Sequence, residues 1–479
     1  MKPFHIYNTL SRTVEEFKPL SPGVVTYYSC GPTVYLRQHL GNMRCYLFAD
    51  TLKRALRFNG YTVRHVMNIT DVGHMTSDED VGEDKIEKTA RAEGRTPEEV
   101  ADRYTRLFED DLTLLNIESP TVPPGRFCRA TEHIPDMLAL IQRILDRGYA
   151  YVTPSGVYFD VEKYRGPNRI GRLSRQSLDE QHAGQRLEHS PDKKSPHDFA
   201  LWVLNQPEHI MQWNSPWGRG YPGWHIECSA MAMKYLGETI DIHSGGLDHV
   251  PIHHENEIAQ SESATGKPFV RYFVHNAFLV GMEGAKISKS AGKFPILSDL
   301  TDAGIPALAF RMFCFGAKYR SELAFSPEAV RGAQRNLDYF SEFARNLRDE
   351  IANGDAGDAD WAGVFRERFH EALNNDLNTS QALAVALDLV AEAYRRNDHR
   401  IWNTLKAFDI VLGLGLEAMR SETREAELPP EICRLIAERD RARKEKKFAR
   451  SDELRKELTA RGYEVKDTVE GSSYIPRKG

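Results

Sequence analysis

The stretch VVTYYSCGPTVYLRQHLGNMRCYLFADTLKRALRFNGYTVRHVMNI, residues 24–69, decides the fold. Residues 24–29 are β-branched and aromatic, the composition of a short strand, and Cys30-Gly31-Pro32 stops it. Beyond His39-Leu-Gly-Asn42, apolar residues recur at Met43, Leu47, Leu52, Ala55 and Leu56, close to helical spacing. Gly60 stands where a helix-ending glycine belongs, and residues 61–69 read as a second strand. Strand, helix and strand over about 45 residues make one parallel βαβ unit. Its helix begins at the His39-Leu-Gly-Asn42 junction, where unpaired N–H groups and partial positive charge suit a phosphate.

Working outward, the chain has 479 residues, enough for about three domains of roughly 150 each. Hydrophobic residues make up 41% and charged residues 28%, ordinary for a soluble globular protein. No apolar run approaches the roughly 20 residues that span a bilayer, so no membrane partner is expected. The first residues carry Glu15 and Glu16 and lack the basic-then-apolar layout of a signal peptide, which predicts a cytoplasmic protein. The six cysteines, at 30, 45, 128, 228, 314 and 433, form no CxxC pair and suggest no disulfide framework.

Residues 135–195 read as an insertion: a helix near 137–147, short strands near 149–153 and 156–161, then polar sequence. Strands are expected again at 199–204 and 239–243, with a helix over 225–236 between them. The glycine-rich 217–224 segment reads as a loop. Ser326-Pro327-Glu328 is a helix start with a capping serine, and amphipathic stretches at 327–352, 361–375, 379–396 and 399–414 predict a bundle. Residues 431–462 read as one or two basic helices, followed by a hairpin over 463–474. From Arg434 to Arg461 there are eleven Lys/Arg against six Asp/Glu, on a chain whose net charge is -6. Such a module can bind phosphate backbone, although a solvated helix of mixed charge has the same pattern.

Two further groups carry chemistry. Lys286-Ile-Ser-Lys289-Ser290 places two lysines on a small-residue loop, able to neutralise a departing pyrophosphate. Cys30, Cys228, His253 and Glu257 come from three distant segments, the last two sharing a helix face at i and i+4. Two sulfurs, an imidazole and a carboxylate suit zinc. From spacing alone, buried structural cysteines remain the alternative.

The order of the His39 and Lys286 motifs resembles the paired ATP signatures of class I aminoacyl-tRNA synthetases. Tyr28-Ser-Cys-Gly-Pro-Thr-Val-Tyr35, Asn68-Ile-Thr-Asp71, Gly223-Trp-His-Ile-Glu-Cys-Ser-Ala230, His253-His-Glu-Asn-Glu257, the opening Ile6-Tyr-Asn-Thr-Leu10 and the tail from Lys444 to Tyr474 together resemble the cysteinyl-tRNA synthetase family along nearly the whole chain. That resemblance implies one zinc on Cys30, Cys228, His253 and Glu257, binding the substrate thiolate. It implies a cysteine pocket lined by Thr70, Trp224 and His243. It places Thr33, His39, Asn42, Lys286 and Lys289 on the ATP side, with Mg2+ accompanying ATP though no motif here is dedicated to it. Arg443, Phe448, Asp452 and Asp467 resemble the anticodon reader. The partners implied are cysteine, ATP and tRNA-Cys, and a monomer is expected.

The sequence departs from the family at Asn42, where many relatives carry histidine, at Ile287, where methionine is usual, and at Phe448, where some carry tryptophan. The fold implied is α/β: a Rossmann-type parallel-sheet catalytic domain in two halves (1–134 and 196–275) around a connective insertion (135–195). A lysine-loop stem-contact region (276–325), a helix bundle (326–425) and an anticodon module (426–479) follow. Two other functions share parts of this pattern. A cysteine ligase acting on an amino-sugar would be expected to lack the tail, which is present. A non-catalytic tRNA-binding paralogue would be expected to lose His39, Lys286 and Lys289, all present.

Overall fold

A computed structural model describes residues 3–73, 84–168, 170–177, 180, 192–281, 294–425, 430–445, 447–468 and 471–476. The chain divides into two compact units, residues 1–415 and 416–479.

The first unit is built on a five-stranded parallel sheet. Its elements, in chain order, are β1 (Val24–Ser29), α1 (Leu40–Phe58), β2 (Thr62–Ile69), β3 (Cys128–Arg129), α2 (Trp224–Leu236), β4 (Ile240–Gly246), α3 (His253–Thr265) and β5 (Val270–Asn276). The sheet order is β5-β4-β1-β2-β3. Pairing runs outward from β1 in both directions, with Ile242 opposite Tyr27 on one side and Val66 opposite Tyr28 on the other. The order reverses between β1 and β4, so the crevice beyond their carboxyl ends is where a doubly wound sheet binds ligands. Cys30 follows β1 directly into that crevice.

The βαβ reading of residues 24–69 matches β1, α1 and β2. Strand β1 is buried on both faces because α1 and α2 cover the sheet, which explains its unbroken apolar run. Tyr28, Val66, Met231, Ile226, Ile258 and Phe273 share one core with Met137, Leu140 and Ile144 of the Ile134–Asp146 helix.

An antiparallel five-stranded sheet fills the insertion, in the order Ala150–Thr153, Gly156–Phe159, Ala200–Leu204, Gly218–Pro222, Trp213–Ser215. The expected border at 195/196 therefore cuts across one sheet. The 217–224 segment, expected as a loop, is largely a strand. Its glycines serve close approach: a Cβ at Gly220 would lie 1.9 Å from the Val203 carbonyl oxygen. Two helices that periodicity did not single out, Lys85–Glu93 and Pro97–Leu114, follow β2.

Two short strands, β6 (Leu279–Gly281) and β7 (Leu323–Phe325), pair in parallel. Helices Pro327–Asn346, Gly363–Asn374, Thr379–Arg396 and Trp402–Leu412 complete the unit, the first capped by Ser326, whose Oγ accepts from the Ala329 N–H at 3.1 Å. The second unit holds helices Pro430–Lys444 and Phe448–Ala460 and the hairpin Tyr463–Thr468/Gly471–Pro476 around Ile432, Leu458 and Val465.

Candidate functional site

Three segments bring the four candidate ligands together at the sheet's switch point. Cys30 leaves β1, its N–H held by the Ser244 carbonyl of β4 at 3.2 Å. Cys228 sits in the second turn of α2, and His253 and Glu257 occupy the first turns of α3. The ligand atoms of Cys30, Cys228, His253 and Glu257 all lie within 4.8 Å of one another. A tetrahedral ion with bonds of about 2.0–2.3 Å needs donors separated by a little under 4 Å, so small adjustments of these side chains would seat one.

The donor chemistry fits a thiophilic divalent ion. Glu257 is fully buried. Its Oε2 receives His243 Nε2 at 2.8 Å, while Oε1 lies 3.0 Å from His253 Nε2 without hydrogen-bond alignment. Oxygen and nitrogen thus face one another across a shared space. Burial alone would raise the Glu257 pKa, but His243 and His253 outweigh it and bring it down to about 2. Burial works against the His253 cation too, yet Glu257 and Cys228 raise it to about 10. The Cys30 thiol donates to Cys228, lowering Cys228 to about 6, while burial and Cys228 push Cys30 well up. The direction of the Cys228 shift favours the thiolate, the form that ligates metal.

A second set of groups stands behind these. Cys30 Sγ is 3.4 Å from His254 Nε2; His254 Nδ1 is 2.8 Å from His275 Nε2, and His275 Nδ1 is 2.8 Å from Thr9 Oγ1. His225 Nδ1 is 3.0 Å from His253 Nδ1. Outer partners of this kind orient metal ligands. Cys30, His243, His254 and Glu257 form an overlapping group whose ligand atoms also lie within 4.8 Å of one another. Sequence reading missed His225, His254 and His275. The doubled His253-His254 was the available signal for one of them.

The resemblance-implied pocket residues adjoin this cluster. The Trp224 ring lies 4.5 Å from the His253 ring, tilted 32°. Thr70 donates to Glu227 Oε2 at 3.0 Å and accepts from Asn68 Nδ2 at 3.1 Å, while Asn68 Oδ1 accepts the Gly31 N–H at 2.8 Å. Burial, then Cys228, raises the Glu227 carboxyl well above its ordinary range. His243 stands behind Glu257 and is fully buried.

On the other side of the crevice, His39 is the N-cap of α1: its Nδ1 accepts the Asn42 N–H at 3.2 Å. An Nδ1 used as acceptor puts the neutral ring's proton on Nε2, where it can be donated outward. Gly41 is small for this cap, since a Cβ there would lie 3.0 Å from the His39 ring. The Asn42 amide donates to Gln38 Oε1 at 2.7 Å, and Gln38 in turn donates to the Thr33 carbonyl at 3.2 Å. Thr33 bridges to Thr70 in parallel, which joins the backbone of the segment leading to His39 to that following β2. Lys286 and Lys289 lie outside the described residues.

In the second unit Phe448 opens the Phe448–Ala460 helix and is 65% exposed, a large aromatic facing solvent. Asp452 is exposed one turn on, and Arg443 lies on the preceding helix. Much of the local charge is internally paired: Arg450 with Glu438 and Glu453, and Arg461 with Glu431 and Glu457. Asp467 is on the first hairpin strand, and its side chain lies outside the described residues.

Solved structures with this fold include a methionyl-tRNA synthetase of Mycobacterium tuberculosis bound by methionyl-adenylate (TM-score 0.56, 17% identity, covering 84% of this chain and 89% of that one). Another is a LeuRS of Agrobacterium radiobacter K84 in a ternary complex (TM-score 0.56, 12% identity, 85% of each chain). Residues 16–335 match the family described as the class I (C) tRNA synthetase catalytic domain. A switch-point crevice carrying a capped signature helix, on a sheet of this order, is the catalytic domain of a class I aminoacyl-tRNA synthetase. Residues 368–417 match the DALR domain and 425–474 the cysteinyl-tRNA ligase anticodon binding domain. The chain is 44% identical to a cysteine–tRNA ligase of Chlorobaculum tepidum over 100% of both chains, and 45% identical to cysteine–tRNA ligase 1 of Burkholderia lata over 98% of this chain and 96% of that one. It belongs to the cysteine–tRNA ligase family.

Proposed function

We propose that this chain joins cysteine to tRNA-Cys at the expense of ATP, and that the Cys30, Cys228, His253 and Glu257 cluster holds the zinc that selects the amino acid. The observation that carries the reading is the buried convergence of two sulfurs, an imidazole and a carboxylate at the switch point of a class I synthetase sheet. A zinc ion there supplies a soft, Lewis-acidic partner for a thiol, which a serine hydroxyl cannot match. Shape alone would separate two such isosteres poorly.

The chain's own residues do the rest. Trp224 and Thr70 flank the space beside the cluster and orient the amino acid, so that its carboxylate attacks the α-phosphate of ATP. One P–O bond forms and another breaks, releasing pyrophosphate. His39 donates from Nε2 to a phosphate oxygen, and Lys286 and Lys289 neutralise charge on the leaving group, with Mg2+ arriving with ATP. This is catalysis by positioning and charge stabilisation. The terminal ribose hydroxyl of the tRNA then takes the cysteinyl group and AMP leaves. Arg443, Phe448, Asp452 and Asp467 read the anticodon, Phe448 by stacking on a base and the polar groups at base edges. The chain acts as a monomer.

No described helix is long and apolar enough to cross a membrane. Cys30, Cys45, Cys128, Cys228 and Cys314 are free thiols, which suits a reducing cytoplasm. The test of the metal reading is analysis of purified protein and of Cys228→Ser. The native chain should carry about one zinc, and the variant should lose zinc and raise the KM for cysteine. Full zinc occupancy and an unchanged KM in Cys228→Ser would refute it.

A further inference from the structure

Arg44 lies two residues beyond Asn42 on α1, and its side chain is only 3% exposed. Its guanidinium spends its donors on backbone carbonyls. Nη1 donates to Ala277 at 2.9 Å and Phe278 at 2.5 Å; Nη2 donates to Ser321 at 2.6 Å and, at the limit of 3.5 Å, to Lys318. Ala277 and Phe278 lie between β5 and β6, and residues 318–321 lead into β7, the partner of β6. One side chain therefore ties α1 to the segments that lead into both strands of the small sheet. Strand β6 runs directly into residues 282–293, which carry Lys286 and Lys289.

The downstream end of that segment is fastened to the same helix. Phe294 stacks on His39 at 4.6 Å, and the Leu40 N–H donates to the Pro295 carbonyl at 2.8 Å. Both ends of the lysine-bearing segment are thus attached to the first two turns of α1, the upstream end through Arg44. Burying a guanidinium against neutral carbonyls is expensive, and burial lowers its pKa accordingly. A planar fork reaching several acceptors at once is what arginine offers and lysine does not.

We propose that Arg44 is a positioning residue for amino-acid activation: it sets where the lysine segment departs relative to the helix that carries His39. This rests on the reading that Lys289 stabilises the departing pyrophosphate. On that reading the lysines act when pyrophosphate leaves, a step completed before transfer to tRNA, so the two half-reactions should respond differently.

The experiment compares Arg44→Met, Arg44→Lys and Lys289→Ala in the full chain. It measures the single-turnover rate of cysteinyl-adenylate formation, the rate of transfer from preformed adenylate to tRNA, the KM for cysteine and the zinc content. A displacement of about 1 Å at the reacting groups predicts activation slower by about 100-fold in Arg44→Met. Arg44→Lys should fall between, and transfer, cysteine KM and zinc content should stay within about threefold of the unaltered protein. Activation and transfer falling together would make Arg44 a general structural residue and overturn the inference, as would activation preserved within about threefold. If Arg44→Met does not fold, the ratio of the two rates in Arg44→Lys decides. A slow Lys289→Ala beside a normal Arg44→Lys overturns the positioning role alone. A normal Lys289→Ala overturns the reading beneath it as well.

Discussion

Gly31 has no room for a side chain: a Cβ there would lie 1.7 Å from the Asn68 carbonyl oxygen. The glycine lets the chain leaving β1 pass against the end of β2, which sets Cys30 beside Cys228. Gly31→Ala must push backbone on backbone, at a cost of about 1–3 kcal/mol or more. Its melting temperature and zinc content should therefore fall together; a melting temperature equal to that of the unaltered chain would contradict the packing argument. Lys289→Ala should lower kcat for cysteine-dependent pyrophosphate exchange by about 2–4 kcal/mol of transition-state stabilisation, with a smaller change in KM. Exchange retained within about threefold would mark Lys289 as an ordinary surface lysine. Cys30, Cys228, His253 and Glu257 were readable as a set because each sits in a distinctive local motif. His225 and His275 were not, because they reach the cluster only through the packing of α2 on α3 and the pairing of β4 with β5.

Among the elements, α1 was the most legible. Its apolar period, its glycine stop and its histidine start all lie within one segment. The glycine-rich strand at 218–222 was opaque for the opposite reason: its glycines answer to Trp202 and Val203 of the neighbouring strand, which local sequence does not announce. The same holds for the buried face of α1. Asp50, 1% exposed, accepts from Arg54 at 2.7 Å and from Arg311 at 2.7 Å, with Lys53 Nζ at 3.7 Å. Arg311 also donates to the Leu412 carbonyl at 2.6 Å and the Leu115 carbonyl at 3.0 Å, stitching α1 to the Trp402–Leu412 helix. Asp50→Asn leaves buried cations short of their counter-charge and should destabilise the first unit by about 3–5 kcal/mol in denaturant melts. An effect below about 1 kcal/mol would show that the network is not a fastening point. Burial would raise the Asp50 pKa, but Arg311, Arg54 and Lys53 outweigh it and hold it below the ordinary carboxylate value. Its contribution is therefore complete above the unfolded-state value and disappears as pH falls through the lower folded-state value. The unaltered chain should lose this part of its stability below about pH 4, and Asp50→Asn should show a flatter acid limb.

At the scale of the whole molecule, the division at residues 415/416 separates a unit holding every described candidate metal and ATP residue from one holding Phe448 and Asp452. Ending the chain at Gly415 should leave cysteine activation largely intact while charging of tRNA falls steeply. Binding of tRNA by the full chain should also weaken with salt, because phosphate contact releases counterions. A truncated protein that charges tRNA as well as the full chain would remove the anticodon role and bring an amino-sugar acceptor back into question. The central claim, that a metal held by Cys30, Cys228, His253 and Glu257 selects the thiol, is tested most directly by ATP–pyrophosphate exchange with cysteine and with serine, before and after zinc is stripped and restored. The account predicts exchange with cysteine, at least about 10⁴-fold less with serine, loss of the cysteine rate on stripping and its return with zinc. Stripped protein that still activates cysteine at the full rate, with the same preference over serine, would contradict it.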